Sequence, residues 1–136
     1  MVSSVSDDNC VEWPASLCNF FYINNEFSNL KDKGLSVGEK TNLIVFNNEI
    51  RDNSNGTAVK DLSTVYFINN RFHDNEIAIN SYQKKQLFGG GSSYMYKNVY
   101  KDNKKDFKSD ELSNKYDINL SEKKYAYIID LIEKNK

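Results

Sequence analysis

The sequence predicts an all-β solenoid in which short strands stack coil upon coil. Three observations carry the prediction. First, four segments of the 136-residue chain align on one asparagine: FFYINNEF (20–27), LIVFNNEI (43–50), VYFINNRF (65–72) and SYMYKNVY (93–100). The anchors Asn25, Asn48, Asn70 and Asn98 are spaced by 23, 22 and 28 residues. A period in the twenties marks units that bury their apolar faces only by stacking on their neighbours. Second, three of the units carry a further short apolar run, GLSV (34–37), GTAV (56–59) and EIAI (76–79). Third, aromatic residues are abundant and only one proline is present, which is not the composition of a disordered chain.

Each element follows in chain order. The N-terminal VSDDNCVEWP (5–14) reads as part of a preceding coil, because Asp8, Cys10, Val11 and Trp13 fall about one period before Asp32, Gly34, Leu35 and Val37. The expectation is therefore a chain that begins partway through a solenoid. Cys10 and Cys18 are the only cysteines. They are too few for a disulfide framework and read as two buried thiols in preference to one bridge. Along the first strand of each coil alternate residues point inward, as Val65 and Phe67 do. The chain then turns at Asn69-Asn70, and Phe72 points in again. Asn70 is expected inside the turn, where its amide bonds the backbone and the equivalent asparagine of the next coil in a stacked ladder.

Two solenoids share this period. Leu43, Val45, Asn48 and Ile50 fit the leucine-rich repeat. That repeat also wants a large apolar residue about five positions after the asparagine. Those positions hold Leu30, Asn53, Asn75 and Asn103, three of them polar. Two strands per turn with polar corners favour a right-handed parallel β-helix of about four to five coils over residues 1–120. The longest interval holds QLFGGGS (86–92), a glycine-rich insertion expected on a loop. Residues 104–120 are charged and irregular and read as a connection. SEKKYAYIIDLIEKNK (121–136) reads as an amphipathic helix: Ser121 is the N-cap, and Tyr125, Ile128, Ile129 and Ile132 share one face. It is the expected cover for the open C-terminal end.

At the level of fold, these repeats resemble the pectate-lyase-like solenoids, the right-handed parallel β-helix repeat family. The phrases DKGLSVGEK (32–40), GTAVKDLS (56–63) and SYQKKQLFGGG (81–91) are similar to β-helix segments of secreted or surface bacterial proteins with spore-coat-kinase-like domains. The resemblance implies a module of a larger surface-associated protein. Lyases of this fold use basic residues and acidic calcium ligands on one outer face, and the chain holds no complete pattern of that kind.

Alternation leaves Phe21/Ile23, Ile44/Phe46, Tyr66/Ile68 and Tyr94/Tyr96 outward on the first strand. A solvated face should be polar, so this strip, with Phe21, Phe46, Tyr66, Tyr94 and Tyr96 as its aromatics, is expected to be covered. The terminal helix, an adjacent domain or subunit, or a polysaccharide stacking on the rings would each serve. On the second strand Ser36, Ala58 and Ala78 form a small outward floor. Beyond it Glu39 and Asp61 each stand nine residues before an anchor, one rung apart on the same corner, beside Lys60, Tyr82, Lys84 and Lys85. Stacked carboxylates beside lysines can form a solvated ion pair, hold Ca²⁺, or serve a polysaccharide lyase or hydrolase acting on an acidic sugar. No other cofactor and no metal site is expected. His73, the only histidine, reads as a surface turn residue. Gly89-Gly90-Gly91 lacks the Lys-Ser/Thr of a phosphate loop. Asn55-Gly-Thr57 and Asn119-Leu-Ser121 match the glycosylation triplet, as an asparagine-rich chain will by chance.

The formal net charge is −1, so neither nucleic acid nor an anionic membrane is an expected partner. No apolar run approaches a membrane span of about 18 residues. The N-terminus lacks a signal-peptide pattern, so the chain is expected in the cytoplasm, or at the cell surface as a piece of a longer secreted protein. The expected function is a non-catalytic scaffold or interaction module.

Overall fold

The structure, a computed structural model, describes residues 2–3 and 21–134. It is a parallel β-helix with three strands per coil. The first coil holds β2 (Phe21–Ile23), β3 (Glu26–Ser28) and β4 (Lys33–Val37), after a two-residue β1 (Val2–Ser3) that pairs antiparallel with β2. The second holds β5 (Asn42–Phe46), β6 (Glu49–Arg51) and β7 (Asn55–Lys60). The third holds β8 (Thr64–Ile68), β9 (Arg71–His73) and β10 (Ile77–Tyr82), and the fourth holds β11 (Ser92–Tyr96), β12 (Val99–Lys101) and β13 (Lys105–Ser109). β14 (Asn114–Asp117) opens a fifth coil, and α1 (Glu122–Lys134) follows. Three sheets result, in the orders β1-β2-β5-β8-β11-β14, β3-β6-β9-β12 and β4-β7-β10-β13.

The core is the column between the sheets. Leu43, Val45, Val65, Phe67 and Met95 enter from the first sheet, Ile50 and Phe72 from the second, and Leu35, Val37, Val59 and Ile79 from the third. Like side chains repeat at each rung, about 4.8 Å apart, so Phe72 stacks on Tyr100 with ring centroids 5.4 Å apart.

The asparagine pairs explain the corners. At the first corner the leading residue, Asn24, Asn47, Asn69 or Lys97, takes a left-handed φ of 50–59°, which asparagine tolerates better than most residues. The second residue turns inward as the ladder. The Asn70 Oδ1 accepts from the Asn48 backbone N–H at 2.9 Å and from its Nδ2 at 3.1 Å. The Asn70 Nδ2 donates to the Val45 carbonyl at 2.8 Å, and Asn98 repeats the pattern beneath Asn70. Asn25 heads the ladder, its N–H donating to the Asn48 Oδ1 at 2.8 Å.

Several expectations are corrected. Each coil has three strands rather than two, because the three residues after each ladder asparagine pair with the equivalent three above and below. A second ladder runs through Asn53, Asn75 and Asn103, with Leu30 at its head donating to the Asn53 Oδ1 at 3.0 Å. Those residues are the ones that argued against a leucine-rich repeat. In the third coil the stretch matching GTAV is 78–81, two residues later than read: Ala78 joins the core, and Asn80 pairs with Ala58 and takes the outward position. The corner preceding these strands is tight, since a Cβ on Gly56 would come within 2.5 Å of the Ala78 carbonyl oxygen. Residues 104–120 are the fourth coil's β13 and the fifth coil's β14, not a plain connection.

The helix does not close the open end. It lies on the outer face of the first sheet, where Ile128 is fully buried among Ile23, Ile44, Phe46 and Ile68. Its start is as read: the Ser121 Oγ accepts from the Lys124 N–H at 3.2 Å. The preceding coil expected over 5–14, with Cys10 and Cys18, lies outside the described residues.

Candidate functional site

The expected aromatic strip divides into two columns by strand register. Ile23, Phe46, Ile68 and Tyr96 pair rung to rung and lie under α1. Tyr96 meets Tyr125 edge-on at 5.6 Å, and the Lys97 ammonium sits 4.2 Å from the Tyr125 ring centroid. The other column is Ile44, Tyr66, Tyr94 and Tyr116 in register, with Phe21 pairing to Ile44 at its head. It starts against the helix, where Ile44 is buried with Ile128 and Tyr66 packs on the same cluster, and continues through Tyr94 and Tyr116. Tyr66 and Tyr94 stack with centroids 4.5 Å apart and planes 7° apart, and Tyr94 and Tyr116 at 4.8 Å and 21°. Rings stacked on one another have no faces free between them. A sugar ring, which stacks on a face, would have to use the outer side of the half-exposed Tyr116 rather than the faces between these rings. Burial, then Tyr94, raises the Tyr66 phenol above its ordinary value.

The charged corner sits where the third sheet returns to the first. Glu39-Lys40 and Asp61-Leu62 occupy the same place in successive coils, all four residues with φ between 52° and 62°. Asp61 is nearly fully buried, 1% exposed. Its Oδ1 accepts from the backbone N–H groups of Lys84 at 2.8 Å and Lys85 at 2.9 Å. This carboxylate anchors the first turn of the insertion, 83–91. Glu39 is ion-paired with the Lys85 ammonium across the corner, which raises the Lys85 proton affinity. Lys60 and Tyr82 face one another in register. Burial, then the charges of Lys84 and Lys33, pulls the Lys60 ammonium below its ordinary value, and burial pushes the Tyr82 phenol up. Gly38, Thr41, Glu39, Lys60, Lys84 and Lys85 line a groove of about 500 Å³ over the buried Asp61. The expected small floor survives only in part. Ser36 is exposed, while Ala58 is fully covered.

The structure thus brings together all six residues of the charged face, but gives its two acids different tasks. Asp61 holds backbone and Glu39 holds a lysine. Among the described residues no three His, Cys, Asp or Glu side chains gather as a metal site, and no helix is long and apolar enough to cross a membrane.

Sequence reasoning missed a second charged face. His73 is the last residue of β9, not a turn residue. Its Nε2 lies 2.8 Å from the Glu49 Oε1 and its Nδ1 2.7 Å from the Asp74 Oδ2. The hydrogen bond to Asp74, then that to Glu49, raises the imidazole's proton affinity, and His73 in turn lowers that of Glu49. Arg51 joins Glu26 at 2.6 Å and Asp52 at 2.5 Å one rung away. The available signal was the repeated Asp-Asn at 52–53, 74–75 and 102–103. Its aspartates take left-handed φ values of 54–57°, and Asp52 and Asp74 lean back on the strand's last residue.

The general family description for a right-handed β-helix region matches residues 8–126. No curated protein and no solved structure matches the chain. The match spans most of the chain, and three parallel sheets with stacked asparagines are its physical content: the chain belongs to the right-handed β-helix family.

Proposed function

We propose that the chain is a non-catalytic scaffold and interaction module of a larger surface-associated protein. The observation that carries this reading is the use of Asp61. A carboxylate that accepts from two backbone amides and is shut from solvent serves the shape of a loop rather than a proton transfer, which needs reach to a substrate. The likeness of 32–40, 56–63 and 81–91 to β-helix segments of bacterial surface proteins supports the wider setting. The solenoid supplies a rigid shaft, and its outer corners carry the residues free to meet a partner.

One observation favours a second reading, a polysaccharide lyase. Burial, then Lys84 and Lys33, lowers the proton affinity of Lys60 beside Tyr82 in the groove, and a lysine shifted in this direction is a better candidate base than an ordinary one. The test is to incubate the chain with a panel of uronic-acid polymers, with and without Ca²⁺, and follow the unsaturated uronate that elimination leaves. Calorimetry with Ca²⁺ alone runs beside it. The module reading expects no product. Turnover that disappears in Lys60→Gln would overturn it in favour of the lyase.

A further inference from the structure

The insertion 83–91 carries an apolar tip that the fold holds in place. Leu87 is 90% exposed. It is flanked on the corner by Leu62, 48% exposed, and by Leu112, 54% exposed. Leu62 and Leu112 meet the same loop at its glycines: Leu62 donates its N–H to the carbonyls of Gly89 and Gly90 at 3.2 and 3.0 Å, and a Cβ on Gly90 would strike the Leu112 carbonyl. The loop is braced at both ends. Asp61 holds its first amides, and the Gln83 side chain reaches the Phe88 carbonyl. Leu62 is also a bulky residue held in the left-handed region at φ 61°, which such side chains rarely adopt. A solvated loop has no need of a braced apolar tip, and exposed apolar clusters rimmed by polar groups mark contact surfaces.

The charges beside the tip select the partner. Glu39 and Lys85 cancel in their ion pair. Lys60 and Lys84 line the groove and form no ion pair among the described residues, and Lys40 lies over the Phe88 ring at 5.6 Å. Against the two carboxylates Glu39 and Asp61 stand Lys60, Lys84 and Lys85, so the groove keeps a net positive charge beside the exposed leucines. We infer that this corner docks an extended segment of a partner polypeptide that presents carboxylates next to apolar side chains, the carboxylates entering between Lys60 and Lys84 and the apolar groups covering Leu87 and Leu62. An anionic lipid surface fits less well, because the exposed Asp110 and Glu111 beside Leu112 would meet the same headgroups. The inference rests on the interaction-module reading and names the site and partner it leaves open.

The experiment uses the full chain and fluorescein-labelled nonapeptides alternating Leu or Phe with Asp or Glu, read by fluorescence polarisation. Controls are the same peptides with Lys for the acids, and vesicles containing phosphatidylserine. The expected result is saturable binding of the acidic peptides only, weakened at least about tenfold in Lys60→Gln/Lys84→Gln and in Leu87→Ser, both surface changes, and falling as salt is raised. Lys31→Gln, at the opposite corner, should leave it unchanged. No preference for acidic over basic peptides, binding untouched by either variant, or binding to vesicles alone would overturn the proposal. Turnover of a uronic-acid polymer is a separate outcome that would overturn the module reading, whereas absence of both turnover and peptide binding removes this docking surface alone.

Discussion

Asn70 satisfies more backbone than any neutral surface residue can. Its Oδ1 serves two donors of Asn48, and its Nδ2 serves the Val45 carbonyl and the Asn98 Oδ1. Asn70→Ala takes the acceptor from the buried Asn48 N–H and a donor from the Val45 carbonyl, while the Asn48 Nδ2 keeps the Tyr22 carbonyl and the Asn98 Oδ1 keeps the residue-70 N–H. Stranding a buried polar group costs about 1–3 kcal/mol. A denaturant midpoint for Asn70→Ala no lower than that of the exposed control Ser36→Ala would contradict the ladder. His73 makes the second argument at this scale. Its proton is held more tightly in the folded chain than in the unfolded, where its value is near 6.5. Its contribution to stability is therefore full below that value and is lost as pH rises through the higher folded value. Glu49 is shifted the other way from 4.5, so its contribution is present above 4.5 and lost as pH falls. The pair contributes most between the two values. The groups are partly solvated, so the effect is at most about 1 kcal/mol. Thermal melts of the parent and His73→Gln should differ most between pH 4.5 and 6.5 and converge as pH rises through the raised folded value of His73. A constant difference across that range would count against the pairing.

At the scale of elements, α1 is held by one apolar face rather than by its ends. Ile128 is fully buried against Ile23, Ile44, Phe46 and Ile68, while the opposite side carries charges such as Asp130 and Lys134, themselves ion-paired at 2.8 Å. Ile128→Ala removes packing worth about 2–5 kcal/mol at a buried site. Because the ladders and the inner column do not depend on the helix, the loss should fall on α1 first. Hydrogen exchange is expected to quicken over 122–134 and around Phe46 and Ile68 while the amides of Asn48 and Asn70 stay protected. Uniform loss of protection would show instead that helix and coils unfold as one unit.

For the whole molecule the question is what ends the stack. A parallel β-helix exposes strand edges at its ends, and such edges recruit other chains unless blunted. In the last rung, Lys115 and Asp117 pair with Ser93 and Met95, in line with the inward Val65 and Phe67 of earlier coils. The Lys115 ammonium lies over the Phe107 ring at 5.3 Å. Burial, then Asp117 and Asp106, raises the Tyr100 phenol just beneath. Charged residues thus stand at inward positions on the edge that the helix was expected to cover. Lys115→Val/Asp117→Val should restore an apolar inner row on an exposed edge and produce concentration-dependent association by light scattering. A variant that stays as dispersed as its parent would show that charge is not the stop.

The period, the strand content, the first ladder, the inward row and the terminal helix were all legible in the chain. Each is set by local chemistry that repeats: asparagine at a corner, alternating apolar residues on a strand, an i, i+3, i+4 face on a helix. The asparagines at 53, 75 and 103 were equally visible, but their spacing was read as a missing apolar residue, since only the fold shows a second corner there. Tertiary structure alone decided which surface the helix covers, that Asp61 turns away from solvent to hold the insertion, and that His73 lies between two carboxylates. Those outcomes depend on which residues of different coils come to lie side by side. A repeat pattern fixes the rung spacing but leaves open where a helix lands or which of several neighbouring charges pair.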